Sequence, residues 1–325
     1  MSSWESRPAK LAAQKVLRRA EQRLPLETNR NPWVIAHRGA SSDVAEHTLP
    51  AYLAAIENGA DGLECDVRLT RDGHLVCVHD RTVNRTSNGS GVVSEFDLPM
   101  LQALDFKSWK TDMPVSADEL LTDSPYLAGV EPDRLDVESS RVLTLETLLG
   151  VVADAGRPLR MLIETKHPTR YGGLVEKELV RMLKRFGWAG HNGAAAGRRP
   201  NALPLADDVE RPVTIMSFAP VALRRVRLLA PSVPLVLLLD RWTGGRRDGS
   251  LPSGVATAGP GIRLLRTDPA YVDRAHRAGG RVYCWTVDEP EDVALVSELG
   301  VDAIITNRPR AVQRQLAGEA EPDAG

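Results

Sequence analysis

Glu64 and Asp66 stand two residues apart in the apolar run 62–69, with His37 and Arg38 upstream and His79 downstream. A strand turns successive side chains to opposite faces, so the two carboxylates share one face and Cys65 takes the other. Carboxylates held together repel, and a cation between them lets both stay ionised. Glu164, in the later apolar run 160–165, offers a third oxygen donor. The set Glu64, Asp66 and Glu164 is hard and anionic, which suits Mg²⁺ or Ca²⁺ better than zinc. His37 and His79 are the candidate acid and base, because an imidazole gives or takes a proton near neutral pH. Arg38 and Lys166 are the candidate phosphate binders, the first through paired hydrogen bonds and the second as a point charge. Together these are the parts of a metal-assisted phosphoryl-transfer site. The competing reading pairs the acids with Arg38 and Lys166 in a metal-free ion network.

Other residues carry two readings each. Glu46 either meets substrate hydroxyls or orients a ligand, or else it braces its loop. Trp285 forms an apolar wall against a substrate or packs in the core. His47, His74, His167, His191 and His276 are read as structural, with His47 and His167 near enough in sequence to the acids to stay open. The chain has no glycine-rich phosphate loop, CxxC pair or nucleophile elbow.

These groups need a scaffold that brings strand ends together. Short apolar runs at 33–36, 62–69, 160–165, 213–217, 235–239, 262–266, 281–287 and 301–306 alternate with helix-like stretches, and 74–79 adds a hairpin partner to the second run. Eight strand-then-helix units predict an α/β fold, a (β/α)₈ TIM barrel with a small insertion after the second-strand hairpin. Barrel enzymes set their reactive groups at the carboxyl ends of strands, and His37-Arg38, Glu64/Asp66, Glu164/Lys166 and Trp285 all fall at such ends. The expected organisation is a charged helical extension at 1–31, the barrel at 32–316 with 84–141 as insertion or lid, and a disordered tail at 317–325.

The bulk properties exclude other classes. In 325 residues the hydrophobic share is 42%, the charged share 26% and the net charge −2, so no basic field invites nucleic acid. No run is long enough for a membrane span, and the first 31 residues lack an apolar signal core, so stable membrane insertion is not expected. Three cysteines in strand-like runs read as reduced, buried thiols, and the expected compartment is the cytoplasm.

The ordered set of motifs closely resembles the glycerophosphodiester phosphodiesterase family. The resemblance rests on His37-Arg38-Gly39, Glu64-Cys65-Asp66, His79-Asp80 followed by Arg85 and the glycines Gly89 and Gly91, Glu164-Thr165-Lys166, Trp285-Thr286-Val287 and the closing Thr306-Asn307-Arg308-Pro309. It implies a (β/α)₈ barrel that hydrolyses a small-molecule glycerophosphodiester to glycerol 3-phosphate and an alcohol, with a divalent metal. In that scheme the substrate's 2-hydroxyl attacks phosphorus to form a cyclic phosphate, one of His37 and His79 takes its proton and the other protonates the departing alcohol, and water then opens the ring to glycerol 3-phosphate. One departure stands out: the family usually has Glu-Asn-Thr where this chain has Glu46-His47-Thr48. Rival readings are a phospholipase D-like enzyme acting on lysophospholipids or sphingolipids, with Leu120, Leu121, Tyr126 and Leu127 as an apolar patch, and a non-catalytic phosphoester-binding barrel. The sequence leaves the alcohol and the oligomeric state open.

Overall fold

The computed structural model describes residues 31–110, 140–167, 172–189, 212–242 and 246–319. Contacts divide the chain into two units, 1–31 and 32–325, and the second holds every strand among the described residues. The expected N-terminal helical extension, Leu120, Leu121, Tyr126, Leu127 and His191 lie outside the described residues, as does most of the tail.

Eight parallel strands close into a barrel: β1 (Trp33–His37), β2 (Gly62–Leu69), β4 (Arg160–Thr165), β5 (Val213–Ser217), β6 (Leu235–Leu239), β7 (Thr257–Pro260), β8 (Arg281–Cys284) and β9 (Ala303–Thr306). β1 pairs with both β9 and β2, which closes the ring. β3 (Leu75–Cys77) runs antiparallel along the outer half of β2, the hairpin the sequence predicts. Most strands are buried on both faces, as parallel strands covered by helices must be, and so read as apolar runs.

The barrel interior is layered. Arg160 lays its guanidinium over the Trp33 ring at 3.4 Å near the amino ends of the strands. Above it lies an apolar layer that includes Ile35, Leu162, Met216, Val236 and Ile305. The next residues inward along β1, β2 and β4 are polar, and that is where the site begins. Register fixes their heights: His37 lies opposite Glu64, and Asp66 lies opposite Glu164.

One strand differs from expectation. Residues 262–266 form a helix, Ile262–Thr267, and the sixth barrel strand is Thr257–Pro260. A short apolar run fits either periodicity, and this one buries Leu264 and Leu265 on one helical side. The true strand holds Gly259 and Pro260 and has no alternation to read. Gly259 leaves room for neighbouring side chains, since a Cβ there would lie 2.7 Å from Leu238 Cδ2.

The described start of the insertion, through Lys110, carries a short helix (Leu98–Gln102) and packs Val93, Leu101 and Phe106 with the preceding Val76, Val78 and Val83 in a satellite core. No helix among the described residues is long and apolar enough to cross a membrane.

Candidate active site

Glu64, Asp66 and Glu164 are buried and each offers an oxygen, all within 4.8 Å of one another. Alternation along β2 puts the first two on the inner face, and the β2–β4 register adds the third. Burial and the Asp66 charge push the Glu64 carboxyl well up, and the same two causes push Glu164 up to about 8. Burial would raise Asp66 too, but Lys166, His47 and Arg38 outweigh it and hold Asp66 well below the usual range.

Two cations face these acids. Lys166 Nζ lies 2.8 Å from Glu164 Oε1 and 3.2 Å from Asp66 Oδ1. Arg38 Nε lies 3.0 Å from Asp66 Oδ2, out of line for a hydrogen bond, while its Nη1 donates to Glu46 Oε1 at 3.0 Å. Arg38 has φ +60 and Gly39 φ +86, so the chain reverses sharply just past His37. Gly39 is obligatory there, since a Cβ would lie 2.6 Å from the Ala51 backbone. The reversal aims the Arg38 amide at Glu64, where it donates to both the main-chain O and Oε2 at 3.1 Å.

The metal-free alternative thus has real ion pairs behind it, yet it does not complete the site. Asp66 Oδ1 is buried without a well-directed hydrogen bond, although Lys166 is close. A buried carboxylate oxygen left so is costly. Three hard oxygen donors with one under-satisfied atom fit a divalent cation.

His37 and His79 flank this centre. His37 Nε2 lies 4.0 Å from Glu64 Oε2, and its Nδ1 bonds Asn307 Oδ1 at 2.7 Å. Burial, with Arg38 beside it, pushes the His37 imidazole down to about 3. His79 Nδ1 bonds Asp80 Oδ1 at 2.7 Å, and burial lowers its pKa also. Glu46 turns its oxygens to Arg38 and Arg85. Trp285 donates Nε1–H to Gly259 O at 2.6 Å and meets Phe218 edge-on, with ring centroids 5.3 Å apart.

Three residues here have no role that the sequence alone assigns. His47 is buried with φ +61; its Nε2 bonds Asp66 Oδ2 at 2.9 Å and its Nδ1 bonds Tyr52 Oη at 2.8 Å. It stands where the resemblance noted in the sequence implies an asparagine, and asparagine and histidine are both enriched in that backbone region. Asn307 and Asp288 form the support of His37: Asn307 Nδ2 donates to Asp288 Oδ2 at 2.6 Å. His167 turns away to Glu176 at 3.0 Å, His276 pairs with Asp302 and His74 with Asp72, in line with a structural reading.

A closed (β/α)₈ barrel that gathers buried acids, paired cations and two imidazoles carries the groups that a phosphoryl-transfer class of protein needs. The Glycerophosphoryl diester phosphodiesterase family matches residues 37–311, and the chain belongs to that family. It is 42% identical over 285 residues to the "Probable glycerophosphodiester phosphodiesterase 1" of Mycobacterium tuberculosis strain H37Rv, covering 86% of this chain and 90% of the relative. It is 30% identical over 287 residues to the glycerophosphodiester phosphodiesterase of Caldanaerobacter subterraneus subsp. tengcongensis, covering 86% and 95%. Its fold is shared with an Oleispira antarctica phosphodiesterase solved with the product sn-glycerol-3-phosphate, at TM-score 0.65 and 21% identity over 89% of this chain and 98% of that one.

Proposed function

We propose that this chain hydrolyses glycerophosphodiesters, releasing glycerol 3-phosphate and an alcohol. The observation that carries the reading is the convergence of Glu64, Asp66 and Glu164 within 4.8 Å, flanked by Arg38, Lys166 and two histidines. The three acids would hold a divalent ion, Mg²⁺ or Ca²⁺. What such an ion supplies when bound is charge neutralisation at phosphate oxygens and a lowered pKa for a coordinated hydroxyl.

The chain's own groups supply the rest. Arg38 and Lys166 hold the phosphodiester and meet the charge that grows on its oxygens. Two acids of one fold work apart when their surroundings differ, and so do two imidazoles. His37 commits its Nδ1 to the Asn307 amide oxygen, so its Nε2 faces the acids with a free lone pair and is the atom placed to remove the 2-hydroxyl proton. His79 donates Nδ1–H to the Asp80 carboxylate, which opposes the lowering by burial and leaves Nε2 as the nitrogen that carries a proton to the departing alcohol. Glu46 acts by bracing Arg38, since its oxygens are engaged by two arginines. Trp285, half-buried beside Phe218, supplies an apolar wall to the substrate.

A second reading has one observation behind it. Phe218 is 38% exposed next to Trp285, an apolar edge that an acyl chain could follow. That favours lysophospholipids as alternative substrates.

The test is a panel of glycerophosphodiesters, with lysophosphatidylcholine beside glycerophosphocholine, assayed with and without chelator. Chelator-sensitive release of glycerol 3-phosphate is expected. No release from any member with Mg²⁺ or Ca²⁺ supplied overturns the proposal, and turnover of lysophosphatidylcholine alone selects the second reading.

A further inference from the structure

Arg85 stands outside the centre, yet both sides of the site meet in it. Its Nη1 and Nη2 donate to Glu46 Oε2 and Oε1 at 2.8 and 2.7 Å. Its Nε donates to Asp80 Oδ2 at 2.7 Å. The other Asp80 oxygen holds His79 Nδ1, and Glu46 Oε1 also accepts from Arg38 Nη1. The result is one unbroken chain: Arg38, Glu46, Arg85, Asp80, His79.

We propose that Arg85 is a positioning residue that orients His79 through Asp80 and Arg38 through Glu46 at the same time. With Asp80 pinned, His79 keeps its hydrogen on Nδ1 and presents Nε2. With Glu46 pinned, the Arg38 guanidinium stays turned to the phosphate position. The kinetic consequence rests on the phosphodiesterase reading; the orientation of His79 does not.

An exposed ion pair ordinarily contributes little, because two flexible side chains must be held for a screened attraction. Arg85 escapes that argument through its surroundings. Glu46 is largely buried, and the fork of the guanidinium meets it with two parallel hydrogen bonds. The Trp109 ring lies 5.8 Å from the guanidinium carbon. The backbone below is fixed: Val83 is buried in the satellite core, Val83 N donates to Gly91 O at 3.0 Å and Thr86 N to Val83 O at 3.3 Å.

The same insertion grips the first loop a second time. Lys110 Nζ donates to the carbonyls of Ser41 and Ser42 at 2.7 and 2.6 Å. Ser41 Oγ in turn donates to His37 O at 2.7 Å. The loop that carries Glu46 is therefore anchored by Lys110 near one end and by Arg85 near the other. Lysine can replace Arg85 only in part, because one ammonium lacks the planar fork that spans two carboxylates.

The test compares Arg85→Gln, Arg85→Lys, Asp80→Asn and the Arg85→Gln/Asp80→Asn double variant in kcat and KM. Histidine-selective ¹⁵N NMR of each reads the His79 tautomer, with its signal assigned by a His79→Gln sample. Arg85→Gln is expected to lose about tenfold to a hundredfold in kcat/KM. Arg85→Lys should recover only part of it, and the double variant should be no worse than the more severe single. The Nδ1–H tautomer of His79 should dominate in the wild type and give way to a mixture in Arg85→Gln. Additive losses, or unchanged kinetics with an unchanged tautomer, overturn the proposal. If Arg85→Gln does not fold, Arg85→Lys decides by the same readings. If the wild type releases no glycerol 3-phosphate, the phosphodiesterase reading fails while the tautomer measurement still decides Arg85.

Discussion

Asn307 Oδ1 accepts the Nδ1 hydrogen of His37 at 2.7 Å, joining the ends of the first and last barrel strands across 270 residues of sequence. Asn307 is itself fixed, since its Nδ2 and backbone N donate to Asp288 at 2.6 and 2.8 Å. The amide therefore has one orientation, and the imidazole has one free nitrogen, Nε2, turned toward the acids. Asn307→Ala should free the ring to rotate and change tautomer. The expected result is a fall in kcat of about tenfold or more with little change in KM, within the usual worth of an oriented base. Steady-state kinetics with a circular-dichroism check of folding reads it; unchanged kcat would show that His37 needs no such support.

Buried acids that repel are a cost to the protein without its ion. Glu64 accepts a hydrogen bond from the Arg38 amide but has burial and Asp66 against its charge. Glu64→Gln should leave the thermal midpoint of the metal-free protein equal or higher. The same change should remove most of the stabilisation that added Mg²⁺ or Ca²⁺ gives the wild type, because that gain comes from binding the folded state alone. Differential scanning fluorimetry with and without each ion measures both halves. A lower metal-free midpoint with an intact ion-induced shift would contradict the assignment of Glu64 as a ligand.

His47 holds Asp66 from behind and sits on Tyr52 Oη, which lies 3.1 Å from Glu64 O. His47→Ala would leave a buried carboxylate oxygen without that donor, at a cost of about 1–3 kcal/mol. His47→Asn restores the residue of the family pattern, tolerates positive φ and keeps a donor. The expected order of stability is wild type, then His47→Asn, then His47→Ala, read by urea denaturation. Equal effects of both variants would mean that the hydrogen bond to Asp66 contributes nothing.

Acid should weaken the link between Glu46, Arg85 and Asp80. Burial raises the Glu46 carboxyl, but the Arg85 hydrogen bonds and the Arg38 charge overcome it and bring it down to about 2. Burial raises the Asp80 carboxyl as well, but Arg85 and His79 outweigh it and bring it down to about 2. A carboxyl whose folded pKa is depressed adds stability above its unfolded value and loses it as pH falls through the folded one. The stabilisation is therefore complete above about pH 4.5 and gone near pH 2, on the order of 3 kcal/mol at most for Glu46. Arg85→Gln should flatten the stability–pH curve between those limits. Parallel curves for wild type and variant would contradict the coupling.

The sequence is most legible where one residue type has one use. Alternation along β2 places Glu64 and Asp66 on a common face, and the structure adds Glu164 to them through strand register. Thr48 and Thr144 cap the helices Leu49–Glu57 and Leu145–Ala153, accepting from Ala51 N and Thr147 N, a use that fits a threonine just before a helix. The sixth strand is misplaced from sequence because Ile262–Thr267 and a strand of equal length carry the same short apolar run. His47, Asn307 and Arg85 are visible in the sequence as residues but not by their partners. Each acts through a partner far along the chain or across a turn, and only the tertiary fold makes those pairs. The positive φ at His47, in a region that histidine enters more often than most residues, sets its ring against Asp66.

Three carboxylates sharing one ion before two imidazoles are the centre on which the proposed chemistry depends. Crystals of the wild type soaked in Mn²⁺, with anomalous difference density collected at the manganese edge, test it most directly. The expected result is a single strong peak within bonding range of Glu64, Asp66 and Glu164. Density elsewhere, with none among those three side chains, would contradict it.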